Sequence, residues 1–129
     1  MTSERGTPQW MAPEVIATVY SEGDTARYTQ AVDVYSFGII MWETLSLRAP
    51  WKKYRRYFEV WKMVSEGKRP PVDSDDAADA PKGYVELMRD CWSQLPSERP
   101  HFRDIQPALR IIGMPRDHWE TLPSVSALE

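Results

Sequence analysis

The chain has 129 residues, one domain's worth and enough for a single hydrophobic core. Sixteen Lys+Arg against 19 Asp+Glu give a formal net charge of −3, the wrong balance for a dedicated nucleic-acid binder, and 42% hydrophobic with 12% aromatic residues argue against disorder throughout. A lone cysteine, Cys91, has no disulfide partner, and with two histidines no structural zinc cluster is expected. No signal peptide opens the chain, and its longest apolar stretch, 32–45, is broken by Asp33, Ser36 and Glu43. No membrane segment is expected, and a reduced, cytoplasmic compartment is the default.

Proline supplies most of the punctuation. Residues 1–9 read as polar and extended, followed by a short apolar turn at 10–15 and a loop at 21–29. Residues 31–48 read as a helix with Thr29 as its cap. Its apolar residues, among them Val32, Tyr35, Ile39, Ile40, Trp42 and Leu45, point all round a 3.6-residue period, which predicts a helix at the centre of the core. Ala49-Pro50-Trp51 stops it. At 57–66 the spacing of Tyr57, Val60, Trp61 and Val64 predicts another helix, with Gly67 at the C-cap and Lys68 and Arg69 complementing the helix dipole. Pro70-Pro71 then enforces extension, and the acidic, alanine-rich run 73–80 reads as a solvated loop.

The cleanest periodicity follows. Tyr84, Leu87, Met88, Cys91, Trp92 and Leu95 fall on one helical face. Residues 95–100 read as a turn, and Pro100 suits the first position of a last helix whose stripe is Phe102, Ile105, Leu109 and Ile112. Pro107 inside it predicts a kink or two short helices, because it removes one backbone bond and crowds the preceding turn. Residues 113–129 read as a loosely packed tail. No run alternates at period two, so strands should be few or absent.

Four separated motifs carry a resemblance. Ala12-Pro13-Glu14 follows Gly6-Thr7-Pro8-Gln9-Trp10-Met11, Asp33-Val34-Tyr35-Ser36-Phe37-Gly38 precedes Trp42-Glu43 on the central helix, Ala49-Pro50-Trp51 ends that helix, and Cys91-Trp92 leads through Pro96 to Arg99-Pro100 and Phe102. In this order they resemble the C-terminal lobe of a eukaryotic-type protein kinase, entered inside the activation segment. The resemblance covers about 6–112. Gly6-Thr7 resembles serine/threonine kinases, whereas Trp10-Met11 and Cys91-Trp92 also occur in tyrosine kinases. The combination resembles the tyrosine-kinase-like group of serine/threonine kinases.

The resemblance implies a mainly α fold, the helical subdomain of a kinase C-lobe. Residues 1–14 would be the end of the activation segment, 15–112 the truncated helical lobe with its last four large helices, and 113–129 a tail. It implies that Thr7 contacts the catalytic loop and that Pro8, Gln9 and Trp10 shape the shelf for the substrate residue after the phospho-acceptor. Ala12, Pro13 and Glu14 would close the segment, with Glu14 paired to Arg99, and Asp33 would accept backbone hydrogen bonds from the catalytic loop. Thr2 and Ser3 fall where activation-segment phosphorylation is common.

Kinase chemistry needs a Gly-rich loop over the phosphates, a paired strand Lys, an H-R-D aspartate as base and a D-F-G aspartate on magnesium. None occurs here. His101-Phe102-Arg103-Asp104 and Ser36-Phe37-Gly38 imitate two of these in the wrong places. These parts are expected upstream of Met1, so ATP and Mg²⁺ belong to the intact parent and none is expected to bind this chain, which should not transfer phosphate alone. Its expected partners are protein substrates or docking proteins and the missing N-terminal kinase portion. A non-catalytic, pseudokinase-like scaffold is the alternative.

Blander readings stand beside these roles. Thr7 also suits a turn or cap, Asp33 a helix cap, Thr2 and Ser3 unmodified surface, and Cys91 an inert packing position, with His101 and His118 at the surface. Lys52-Lys53-Tyr54-Arg55-Arg56-Tyr57 reads as a solvated loop entering a helix. Its basic–aromatic alternation also suits a nucleic-acid backbone with stacked bases, and in kinases this surface commonly meets partner proteins.

Overall fold

A computed structural model describes residues 8–20, 29–54 and 56–113. Expectations on Thr2, Ser3, Thr7, Arg55, His118, the loop at 21–28 and the tail beyond Gly113 lie outside the described residues. Among the described residues six α-helices run in order: α1 (Pro13–Tyr20), α2 (Gln30–Ser46), α3 (Tyr57–Ser65), α4 (Ser74–Asp79), α5 (Tyr84–Cys91) and α6 (Phe102–Ile112). Short 3-10 turns stand at Pro8–Trp10 and Pro96–Glu98, and no strand occurs among the described residues.

Helix α2 is the axis, as its all-round apolar pattern predicts. Val34, Tyr35 and Ile39 are fully buried, and Met41 and Trp42 nearly so. The burial is not uniform: Ile40 is 48% exposed, and Asp33 is exposed in the first turn. Thr29 occupies the N-cap in extended conformation but its side chain makes no cap hydrogen bond. The helix ends at Ser46, because Leu47 turns left-handed (φ 55°) and donates its N–H to the Glu43 carbonyl.

The principal packing is α2 against α5, and Gly38 sets its closeness. A Cβ there would lie 3.0 Å from Cys91 Cβ, 3.1 Å from the Met88 carbonyl oxygen and 3.2 Å from the Trp92 amide nitrogen. The crossing therefore brings one helix's backbone close to the other's, and any side chain at this position would press on it. From α5, Val85, Met88 and Cys91 enter the core, while Leu95 lies beyond the helix end and is 55% exposed. The Tyr84 hydroxyl donates to the Met41 carbonyl oxygen at 2.8 Å, a second tie between the two helices.

Helix α3 buries Val60 and Val64 and ends in a Schellman cap. Gly67 has φ 86°, its N–H bonds the Val64 carbonyl, and the Lys68 N–H reaches the Met63 carbonyl. The run 73–80 is not a loop: α4 forms within it. Asp75 and Asp76 in its first turn complement the helix dipole, Ala77 and Ala78 favour helix, and Pro81 follows its end. It buries no residue, so it is solvated as its composition indicates. Helix α6 begins at Phe102, two residues later than Pro100, and continues unbroken through Pro107. Pro107 stands in its second turn and forfeits only the bond to the Arg103 carbonyl, while Ile105 and Ala108 bury one face.

Candidate functional site

The turn Pro8–Trp10 is fastened to α2 at two points. The Ser36 hydroxyl donates to the Trp10 carbonyl oxygen at 2.7 Å, and the Trp10 indole N–H donates to the Glu43 carboxylate. Ser36 and Glu43 are seven residues apart, two helical turns, so they share one face of α2 and hold the turn along it. Pro8 is buried, Gln9 and Trp10 half-buried, and the Gln9 Oε1 is buried without a partner among the described residues. In the sequence Ser36 and Glu43 are polar breaks in the apolar stretch and motif positions, with no role toward the turn. They stand at heptad spacing on α2, but nothing in the sequence pairs them with the turn.

Helix α1 begins directly beyond this turn, and its position depends on Arg99. That side chain is fully buried and uses all its donors. Two parallel bonds reach Glu14, Nη1 to Oε2 at 2.7 Å and Nη2 to Oε1 at 2.9 Å. Nη1 also reaches the Ala31 carbonyl at 2.9 Å, Nη2 the Gln94 carbonyl at 3.4 Å, and Nε the Ser93 carbonyl at 2.8 Å. One guanidinium thus joins α1, the start of α2 and the segment after α5. Ala12 and Pro13 are buried beside Glu14, and the Ala12 carbonyl accepts the first α1 bonds, from Val15 and Ile16.

Tyr35 lies between two arginines, with the Arg69 guanidinium carbon 5.0 Å and that of Arg99 5.2 Å from its ring centroid. Its hydroxyl is buried without a partner among the described residues, and burial pushes its pKa up to about 12 despite both cations. Arg69 is held by the Trp92 carbonyl at 2.9 Å and Gln94 Oε1 at 2.6 Å, and burial lowers its pKa from the ordinary guanidinium value. Asp33 makes no side-chain hydrogen bond to any described residue, and it lies inside the helix rather than at its cap. His101 is exposed, and Cys91 is free and buried.

Residues 1–109 match the sequence model of the family described as "Protein tyrosine and serine/threonine kinase". The chain belongs to this kinase family. It is 39% identical over 100 residues to a serine/threonine-protein kinase/receptor of Acanthamoeba polyphaga mimivirus, an alignment covering 78% of this chain and 5% of that protein. With mitogen-activated protein kinase kinase kinase 7 it shares 35% identity over 105 residues in Drosophila melanogaster, covering 81% of this chain and 14% of the relative. The Homo sapiens protein of that name gives 38% over 106 residues, 81% and 16%. The chain therefore spans a small part of the kinases it matches, and as a kinase fragment it resembles the tyrosine-kinase-like group. No helix among the described residues is long and apolar enough to cross a membrane. The described residues also hold no cluster of three His, Cys, Asp or Glu side chains that would take a metal ion.

Proposed function

We propose that this chain forms the substrate shelf and helical platform of a serine/threonine protein kinase of the tyrosine-kinase-like group. The intact parent transfers the γ-phosphate of ATP to a protein hydroxyl with Mg²⁺, using parts that lie outside these 129 residues. The observation that carries the reading is the double fastening of the 8–10 turn to Ser36 and Glu43, immediately before a helix locked by Glu14 and Arg99. A shelf that orients a peptide must itself be fixed, and these bonds fix it. On this reading Thr7 contacts the catalytic loop and helps form the substrate pocket, Pro8, Gln9 and Trp10 shape the shelf, and Thr2 and Ser3 receive regulatory phosphate. Asp33 receives the backbone of the upstream catalytic loop, which suits an exposed carboxylate with no bond to a described residue. The location that goes with this chemistry is cytoplasmic.

The test is a chain extended upstream to include the remainder of its kinase domain, assayed with radiolabelled ATP and Mg²⁺ on a degenerate peptide pool. Label on serine and threonine but not tyrosine is the expected result, with none from the 129-residue chain alone. Exclusive tyrosine labelling, or an extended chain that binds no nucleotide, would overturn the assignment.

A further inference from the structure

A concave site lies where the end of α2, the connection to α3 and the segment after α3 converge. It is a groove of about 500 Å³, the size of a small-ligand or side-chain pocket, open to solvent. Trp42, Trp51, Tyr54 and Met63 give it apolar walls. Among the described residues its charged lining is of one sign: Arg48, Lys52, Lys53 and Arg69, with no acid. Two of these cations are already engaged. Arg48 bonds Asp73 at 2.9 Å and stacks over Trp42, and Arg69 is spent on carbonyls, Gln94 and the Tyr35 ring. Lys52 and Lys53 are exposed and have no carboxylate within ion-pair distance among the described residues. In a chain of net charge −3, this is a local excess of uncompensated positive charge.

Trp51 marks the groove independently. It is 7% exposed, takes a left-handed backbone (φ 57°) that a bulky residue rarely adopts, and buries its indole N–H without an acceptor among the described residues. Strained backbone and unsatisfied polar groups concentrate at binding sites. Tyr54 meets the Trp51 ring edge-on at 5.8 Å, which stiffens the wall. Further along, the first turn of α3 leaves Tyr57 38% and Phe58 61% exposed, an aromatic surface of the kind that protein contacts bury.

We infer that this groove docks an acidic segment of a partner protein, with an aromatic side chain seated between Trp42, Trp51 and Tyr54 and flanking carboxylates on Lys52 and Lys53. The aromatic walls select the anchor and the two lysines select its neighbours. A nucleic acid suits it less, since the basic residues form one short cluster on an acidic chain rather than a continuous track. The inference does not depend on phosphoryl transfer, because a catalytically inert relative would carry the same groove.

The probe is a fluorescein-labelled peptide, Glu-Asp-Asp-Phe-Glu-Asp-Glu, titrated with the 129-residue chain and followed by fluorescence polarisation. Saturable binding is expected, weakened about tenfold or more by the double variant Lys52→Glu, Lys53→Glu and about tenfold when the peptide's Phe is replaced by Ala. Both lysines are exposed, and matching urea midpoints for variant and parent chain establish that the loss is not unfolding. The inference is overturned by no binding, by equal affinity in the double variant, by indifference to the Phe, or by tighter binding of polyuridylate than of the peptide.

Discussion

Arg99 satisfies an acid and three carbonyls at once, and no other side chain has five donors in that planar arrangement. Arg99→Ala should destabilise the chain by roughly 3–5 kcal/mol, because it leaves a part-buried Glu14 and several carbonyls unpaired. Arg99→Lys should recover only part of this, since an ammonium cannot pair bidentately with the carboxylate. Urea midpoints rank the three proteins, and a lysine variant as stable as the parent would contradict this account. Tyr35 is the converse case, a buried hydroxyl with no partner among the described residues. Tyr35→Phe keeps the ring between both arginines and removes the unsatisfied group, so stability at neutral pH should be unchanged or higher. Alkali exposes the same physics. Burial raises the Cys91 thiol from 9.0 to about 12, with the Asp90 charge adding to it, and raises the Tyr35 phenol from 10.0 to about 12. Both groups are held neutral in the folded chain, so their contribution is complete below pH 9 and is lost as pH rises from 9 toward 12. Cys91→Ala should flatten the start of that decline and Tyr35→Phe its upper part, read from denaturation midpoints across that range.

Among the elements, the contact of α2 with α5 admits the least change. Gly38→Ala would place a methyl 3.0 Å from Cys91 Cβ and 3.1 Å from a backbone oxygen that cannot swing aside. A loss of about 1–3 kcal/mol is expected, visible as a lower urea midpoint at unchanged slope. An unaffected Gly38→Ala midpoint would mean the helices can separate at no cost. The sequence makes α2, α3 and α5 legible because each has a strong hydrophobic period. It misplaces what depends on local balance. The helix α4 is hidden in an acidic run because it buries nothing, yet its aspartates and alanines favour a helix without a core to face. Pro107 does not divide α6 into two helices, since one lost bond is outweighed by the apolar face formed by Ile105 and Ala108. Leu95 continues the α5 spacing on paper, but the helix ends at Cys91 and leaves it outside. Around the 8–10 turn, the motif contains Trp10 and Glu14, whereas the bonds of Ser36 and Glu43 emerge only with the turn and α2 side by side. Their partners are 26 and 33 residues away, and no local pattern encodes such pairings.

Taken whole, the molecule leaves much apolar surface in water. Ile40 is 48%, Phe58 61%, Leu47 87% and Leu95 55% exposed, and Ile40 stands midway along the helix that is otherwise the most buried. The isolated chain should bind a hydrophobic dye, self-associate as concentration rises, or take up another chain. Light scattering and dye fluorescence decide this: a monodisperse, cooperatively melting monomer with no dye signal would show that the surface is self-sufficient. The bonds from Arg99 have one more consequence, for the order of assembly. Glu14 and Arg99 are 85 positions apart, and Ala31 and Arg99 68. Contacts of such separation form late, after the entropy of closing long loops has been met. During synthesis α1 leaves the ribosome with its carboxylate unpaired and stays so until nearly the whole helical array has followed. Helix α1 is therefore made well before the arginine that fixes it in place.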